Sequence, residues 1–339
     1  MEELYPWQSE IWQRLSGLRN RLPNALLLKG AEGTGKLDLA LTFAQSILCV
    51  APKSTGVACQ NCSSCLWFAQ ESNPDFRLIQ PDALSVTDES TDKDVGKKLS
   101  REISVDQIRA LSNFVNLSAH SGGYRVVLIH PAEAMNSNSA NALLKSLEEP
   151  TEKLLFILVS NKPQQLLPTI LSRCLCLSVS MPALSTSVSW LRIQGVSEPD
   201  IALSQAGFAP LLALNWAGGG VGTEEANSIL GALKNSSKFD ALGLADQLQR
   251  TSPVRVIHFL QQWCHDLVSF KLAGEIRYHP NQSDVIAHLT RNISTTTLLR
   301  YIKELQITKR DALQPLNPKL LFETILLGYQ QLFFASDKS

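Results

Sequence analysis

The sequence lacks the features of a membrane protein, a strongly basic nucleic-acid binder or an exported protein. Its apolar runs are strand-sized, for example residues 154–159, whereas a membrane span needs about 18–20 apolar residues. The 31 basic and 31 acidic side chains cancel, which excludes a uniformly basic surface but not a local basic patch. The start, Met-Glu-Glu-Leu-Tyr-Pro, has neither a basic nor an apolar segment, so we expect no signal peptide and a cytoplasmic protein.

Disulfide bonds are also unexpected, because the chain has an odd number of cysteines, seven, and no export signal.

The composition is that of a globular protein. Hydrophobic residues make up 44% of the sequence, enough for a core. The 339 residues correspond to about two or three domains.

The first half alternates continuous apolar runs with helical patterns. Apolar runs without polar interruptions are typical of parallel strands buried on both faces. The alternation of strands with helices predicts a three-layer α/β domain with a mostly parallel sheet. The predicted strands are residues 25–28, 76–79, 125–129, 154–159 and 175–179, and the helical patterns are 37–48, 105–117 and 139–147. Residues 80–100, within the polar stretch 80–104, are predicted to be an exposed loop, a tolerated surface insertion.

After residue 182 the strand pattern stops and helical spacing continues to about residue 334, interrupted by a glycine run at 218–220. We therefore predict three domains: an α/β core at 1–179 with a cysteine module at about 49–65, a small helical domain at 180–222, and an all-helical domain at 223–339.

A candidate phosphate loop follows the first predicted strand. Residues 30–36 read Gly-Ala-Glu-Gly-Thr-Gly-Lys and open a predicted helix, which is the required context of the P-loop pattern G-x-x-x-x-G-K. Gly30, Gly33 and Gly35 would let backbone amides turn toward a phosphate, and Lys36 would add a positive charge.

The residues that would hold a metal for hydrolysis are missing. Leu37 stands where a hydroxyl normally helps to hold Mg²⁺. After the strand at 125–129 the chain reads His130-Pro-Ala-Glu133, so Glu133 is the single carboxylate where an ATPase places an acidic cluster. Either the loop still binds nucleotide, or it is kept only as part of the fold; both interpretations predict no efficient ATPase. The alternative is an active P-loop motor with unconventional metal ligands.

A cluster of four cysteines predicts a structural zinc site. Cys49, Cys59, Cys62 and Cys65 include two consecutive C-x-x-C steps, a spacing that suits tetrahedral coordination. The alternatives are four buried or free cysteines that are close in sequence by coincidence, and an iron–sulfur cluster. A DNA-binding zinc finger is a further interpretation, against which Lys53 is the single basic residue between positions 49 and 65.

Arg173 lies in a Ser-Arg-Cys sequence just before the last predicted strand. It could simply cap the preceding helix. In an oligomeric P-loop machine, an arginine can instead stabilise phosphate charge in a neighbour's site.

Together these residues resemble the AAA+ clamp-loader family of bacterial DNA polymerase III. The resemblance is firm to about Val179 and only architectural beyond it. It is carried by Tyr5-Pro-Trp7, the loop 30–36, the four cysteines, Val-Asp-Gln-Ile-Arg at 105–109, Asn-Ala-Leu-Leu-Lys-Ser-Leu-Glu-Glu-Pro at 141–150, and Leu-Ser-Arg-Cys at 171–174.

The resemblance implies an AAA+ core with a zinc module, a small helical lid and a helical collar domain. It implies assembly with delta and tau/gamma subunits into a hetero-pentamer, part of a polymerase (nucleotidyltransferase) holoenzyme at the nucleoid. This complex would open the sliding clamp and load it on primed DNA. Leu37 and His130 fit a subunit that does not hydrolyse ATP, and Arg173 matches the arginine that reaches the ATP site of a neighbouring tau/gamma subunit. Residues 207–212, where such a lid often has a nucleotide-sensing arginine or lysine, contain no basic residue.

Overall fold

The computed structural model describes residues 4–85, 100–116, 119–120, 122–217, 223–235, 239–249, 251–312 and 317–334. These belong to two compact units, Met1–Thr186 and Ser187–Ser339. Most of the predicted polar loop (86–99) and the glycine run at 218–220 lie outside the described residues.

A parallel sheet of five strands forms the centre of the first unit. The order across the sheet is β2-β3-β4-β1-β5, so that β1 lies between β4 and β5. All five predicted strands are confirmed, with small shifts at their ends: β1 is Ala25–Lys29, β2 Phe76–Ile79, β3 Arg125–Ile129, β4 Leu154–Ser160 and β5 Leu175–Ser178.

Helices cover both faces of this sheet, as the α/β prediction requires. Successive strand residues point to opposite faces, so Leu26 and Leu28 join one apolar cluster while Ala25 and Leu27 join the other. The helices of the unit are α1 Ser9–Gly17, α2 Lys36–Leu48, α3 Ser63–Ala69, α4 Asp82–Ser85, α5 Val105–Asn116, α6 Ser137–Glu148 and α7 Pro168–Leu171.

The starts of α5 and α6 are fixed by side-chain caps. Ser104 and Gln107 form a capping box, in which each backbone amide donates to the other side chain at 2.8 and 3.2 Å. The Asn136 side chain accepts from the amide of Ser139 at 2.9 Å, so α6 begins two residues before the predicted start at Ser139.

The expectation that every strand is buried on both faces is wrong for β2 and β5. Leu78 of β2 is 38% exposed and Leu175 of β5 is 42% exposed. Both strands lie at the edges of the sheet, where a neighbour is missing on one side, whereas β3 and β4 are buried along their whole length.

The second unit contains helices and no strand among its described residues. A small apolar cluster includes Val188, Leu191 and Leu203, and a larger one extends from Ile229 to Leu332. No described helix meets the length and hydropathy needed to cross a membrane. The helices are α8 Leu184–Ile193 (which contains the boundary between the units), α9 Pro199–Gln205, α10 Pro210–Ala217, α11 Thr223–Leu233, α12 Ala241–Gln247, α13 Pro253–Ala273, α14 Ser283–Arg291, α15 Thr295–Asp311 and α16 Pro318–Phe334.

Candidate nucleotide site and cysteine cluster

The predicted P-loop connects β1 to the start of α2. Two of its glycines are required by close contacts. A Cβ on Gly30 would lie 2.3 Å from the carbonyl oxygen of Val179, and one on Gly35 would lie 2.6 Å from the ring of Tyr5. Gly35 also has a φ of 77°, in the left-handed region that favours glycine. The loop therefore has its shape because of contacts within the chain, whether or not a phosphate binds.

Lys36 is turned into its own loop. Its amino group donates to the carbonyl of Ala31 and lies 3.5 Å from the hydroxyl of Thr34, and the residue is 3% exposed. Burial lowers the pKa of Lys36 to about 8, against the opposite effects of Glu133 and Glu32. The contacts with Ala31 and Thr34 use donors of the ammonium group, which has three N–H bonds in all.

The segment before α1 covers the loop on its outer side. The indole N–H of Trp7 donates to the carbonyl of Thr34 at 3.0 Å, and the side-chain amide of Gln8 donates to the carbonyl of Gly35 at 2.7 Å. The Tyr5 ring stacks on Trp7 with centroids 5.0 Å apart. The sequence marks Tyr5 and Trp7 only through the family resemblance, and no motif in it predicts that Trp7 binds the loop while Tyr5 stacks on Trp7.

The residues that stand where metal ligands are expected, Leu37 and His130, make other contacts in this structure. Leu37 is half-buried and packs against the apolar cluster on its face of the sheet. His130 shares a 3.2 Å hydrogen bond with the Gln80 side chain, and its pKa is lowered by burial and by the charge of Lys36, against the effect of Glu133.

Glu133 contributes to holding the end of β4. Its Oε1 accepts from the backbone amide of Asn161 at 3.0 Å, while Oε2 is buried without a hydrogen-bond partner among the described residues. Lys36, His130 and Glu133 thus lie close enough together for the charge of Glu133 to affect the pKa of the other two. The structure leaves them without the hydroxyl and the acidic cluster that a Mg²⁺-dependent ATPase uses.

The four predicted cysteines come together in space. Their sulfur atoms all lie within 4.8 Å of one another, and the Cys49–Cys62 and Cys59–Cys65 pairs are 4.0 and 3.9 Å apart. Sulfurs at about 2.3 Å from a tetrahedral zinc would be about 3.8 Å apart, so the arrangement could hold a metal ion. Backbone amides at Asn61 and Cys62 lower the pKa of Cys59 to about 6, which favours the thiolate form that binds metals, whereas burial raises the pKa of Cys49 and of Cys65.

Trp12 of α1 and Arg19, just after α1, hold the loop between Cys49 and Cys59 in place. Arg19 donates to the carbonyl of Gly56 at 2.6 Å and to that of Ser46, in α2, at 2.7 Å. Trp12 donates to the carbonyl of Thr55 at 3.0 Å. Burial lowers the pKa of Arg19 and the charge of Cys49 opposes that shift, so a cation lies near the sulfur cluster. Nothing in the sequence pattern had indicated these contacts.

Arg173 follows α7 and precedes β5. One of its terminal nitrogens donates to the carbonyl of Thr169 at 3.0 Å, and the other lies 2.6 Å from a carboxylate oxygen of Glu148. The side chain is 34% exposed, so an anion from outside the chain can reach it. The first contact is the helix cap that the sequence allowed.

These features define an α/β protein with a P-loop-type turn, a four-cysteine cluster and a helical second unit. Residues 7–183 match the family described as DNA polymerase III, delta subunit, and residues 226–331 match the family of its C-terminal part. The chain belongs to this DNA polymerase III delta-subunit family.

Three relatives show the range of similarity. DNA polymerase III subunit delta' of Pseudomonas aeruginosa is 39% identical over 238 residues, which is 69% of this chain and 67% of that protein. Subunit delta' of Haemophilus influenzae is 28% identical over 324 residues, 92% of each chain. Subunit tau/gamma of Haemophilus influenzae is 37% identical over 161 residues, 47% of this chain and 21% of that protein, so the likeness extends to the tau/gamma subunits.

Proposed function

We propose that this chain is a delta'-type subunit of the clamp loader and does not itself hydrolyse ATP. The state of the P-loop supports this most directly: Lys36 donates a hydrogen bond to its own loop, and the half-buried Leu37 packs against the apolar cluster at the position of a metal-binding hydroxyl. A subunit with this site can keep the P-loop shape and still lack metal-assisted phosphoryl transfer.

The partners follow from the family. The chain assembles with delta and tau/gamma subunits, and the complex opens the sliding clamp and places it on primed DNA, in the cytoplasm at the nucleoid. Arg173 supplies positive charge to the ATP site of a neighbouring tau/gamma subunit. Its exposure and its position at the end of α7 support this role, because an arginine given in trans must be reachable from outside the chain.

The first experiment is steady-state ATP hydrolysis by the purified chain, with Lys36→Ala as the control. We expect no activity above that of the variant. Turnover that disappears in Lys36→Ala would show that the chain is itself a motor and that the argument from Leu37 is wrong.

The second experiment tests Arg173 in the reconstituted complex. Arg173→Ala should lower DNA-stimulated ATP hydrolysis, since one ATP site loses a charge that is worth orders of magnitude in rate at that site. Arg192→Ala is the matched control, because Arg192 is another arginine in an ion pair at the surface, 3.6 Å from Asp200. Undiminished hydrolysis by Arg173→Ala would contradict the proposed role.

For the metal we propose a structural Zn²⁺ held by Cys49, Cys59, Cys62 and Cys65. Four thiolates leave no open position for catalysis. Metal analysis of the purified chain should give about one zinc per chain. Cys62→Ser should lose the metal, and Cys176→Ser, a half-buried cysteine outside the cluster, should keep it. Iron in place of zinc, or no bound metal, would overturn the assignment.

We further propose the three domains at 1–179, 180–222 and 223–339. The two separate apolar clusters of the second unit support a division within it. Limited proteolysis should then cut near residue 220 and leave two fragments that remain resistant. Cleavage confined to other regions would argue against this boundary.

A further inference from the structure

Glu148 is placed to orient the arginine that the sequence singled out. It is the last residue of α6, and its Oε1 lies 2.6 Å from a terminal nitrogen of Arg173. On the other terminal nitrogen, Arg173 donates to the carbonyl of Thr169 at 3.0 Å and approaches the hydroxyl of Ser172 at 3.4 Å. The guanidinium is thus held from two sides, by α6 and by the end of α7.

Glu148 is not there to stabilise its own helix. A carboxylate in the last turn faces the negative end of the helix dipole, which is locally unfavourable. A residue that breaks a local rule of this kind usually has a compensating role elsewhere. The close contact with Arg173 is the compensation that the structure offers.

The held guanidinium still has donors to spare. A guanidinium has five N–H groups in a fixed plane. Among the described residues, the contacts with Thr169, Ser172 and Glu148 do not use all five, so the others can face an incoming anion. With side chains 34% and 49% exposed, the pair lies at the surface, where such an anion can approach. Fixing the plane in advance reduces the rotational freedom that Arg173 would lose when it meets a phosphate.

We propose that Glu148 is a positioning residue for Arg173, setting the direction in which its guanidinium meets the phosphates bound by a neighbouring subunit. This inference rests on the proposed function of Arg173. Exposed ion pairs are weak, so Glu148→Gln should slow ATP turnover at the neighbouring subunit's site by about two- to five-fold and leave the KM for ATP unchanged.

The test uses the complete clamp-loader complex with the full-length chain, and it measures DNA-stimulated ATP hydrolysis after complex formation has been checked by gel filtration. Glu149→Gln is the matched control, because Glu149 is the neighbouring exposed glutamate and has no ion pair within the described part of the chain. It should behave as the unaltered protein. Glu148→Asp keeps the charge and should restore part of the rate.

A double-mutant cycle separates orientation of Arg173 from a general structural effect. On an Arg173→Ala background, Glu148→Gln should have no further effect. Turnover by Glu148→Gln that is unchanged or faster would overturn the inference, as would a loss of assembly or a slowing that persists on the Arg173→Ala background. If Arg173→Ala itself leaves turnover unchanged, the proposed role of Arg173 fails as well, so the two failures are distinguishable.

Discussion

A buried carboxylate in the second unit offers a sharp test of how this structure is held together. Asp266 lies on α13 with no exposed surface. Its oxygens accept hydrogen bonds from the amides of Arg277, Tyr278 and His279 at 2.9, 3.0 and 2.8 Å, and from Nδ1 of the His279 ring at 2.9 Å. His265 Nδ1 lies 3.8 Å away. The segment after α13 is therefore folded back onto one charge.

Replacing that charge by a neutral amide of the same shape should be costly. Hydrogen bonds to a charged group contribute about 1.5–3 kcal/mol each, and neutral ones about 1 kcal/mol. In Asp266→Asn the side-chain NH₂ group would also face backbone donors, leaving at least one buried N–H without an acceptor, at about 1–3 kcal/mol. We expect Asp266→Asn to lower the free energy of unfolding of this unit by about 3–5 kcal/mol at neutral pH.

The stability lost in Asp266→Asn should be larger at neutral pH than at acidic pH. Burial raises the pKa of Asp266, but the hydrogen bonds from His279, Tyr278 and Arg277 outweigh it, so the net pKa lies below its usual value. A lowered pKa gives stability that is present above the unfolded value of about 3.9 and is lost as the pH falls through the folded value. The difference between Asp266→Asn and the unaltered protein should therefore be large at pH 7 and shrink below about pH 4.

The measurement is hydrogen exchange of the amides at 277–279 together with urea unfolding, since a chain of two units need not unfold in one step. Glu275→Gln, an exposed carboxylate in the same segment, is the control and should change neither. An Asp266→Asn penalty below about 1 kcal/mol, or one equally large at pH 3 and pH 7, would refute the reasoning from charge.

Two further predictions concern the first unit. Arg19→Ala should release the proposed zinc ion to a chelator several-fold faster, because the carbonyl contacts that hold the cysteine loop are lost. Arg21→Ala, at an exposed position, should leave the release rate unchanged, and equal release rates for the two variants would contradict this prediction. Gly35→Ala should destabilise the unit by about 2–4 kcal/mol in thermal or urea unfolding, since strain at positive φ is added to a clash with the Tyr5 ring. Gly195→Ala, at a φ of 85° with open space around the added Cβ, should show the strain alone, about 1 kcal/mol, and a similar cost for both variants would mean that the clash relaxes.

The sheet could be predicted from the sequence because continuous apolar runs are a local signal. The runs at 125–129 and 154–159 correspond to β3 and β4 almost residue for residue. The exposure of β2 and β5 could not be predicted from their apolar runs, because it arises from their having one neighbouring strand instead of two. Strand order depends on contacts between distant parts of the chain, which no local pattern records.

In the candidate site, too, local spacing could be predicted and contacts between distant residues could not. The spacing of Gly30 and Lys36 and the steps between the cysteines are local, and the structure brings each set together. The contacts that support them are not local: Gln8 meets Gly35 and Arg19 meets Gly56, from elsewhere in the chain. No residue type or spacing marks such pairs in advance.

The P-loop of this chain has a structural role that does not depend on nucleotide. Gly30 makes room for the carbonyl of Val179 at the end of the sheet, and Gly35 makes room for the ring of Tyr5. The carbonyl of Thr34 accepts the indole N–H of Trp7, so the loop joins the sheet, α2 and the segment before α1. A chain with this packing would need the glycines of the motif even if it never met ATP. The motif by itself is therefore weak support for an ATPase here, and substitutions in it should be judged first by their effect on stability and only then by turnover.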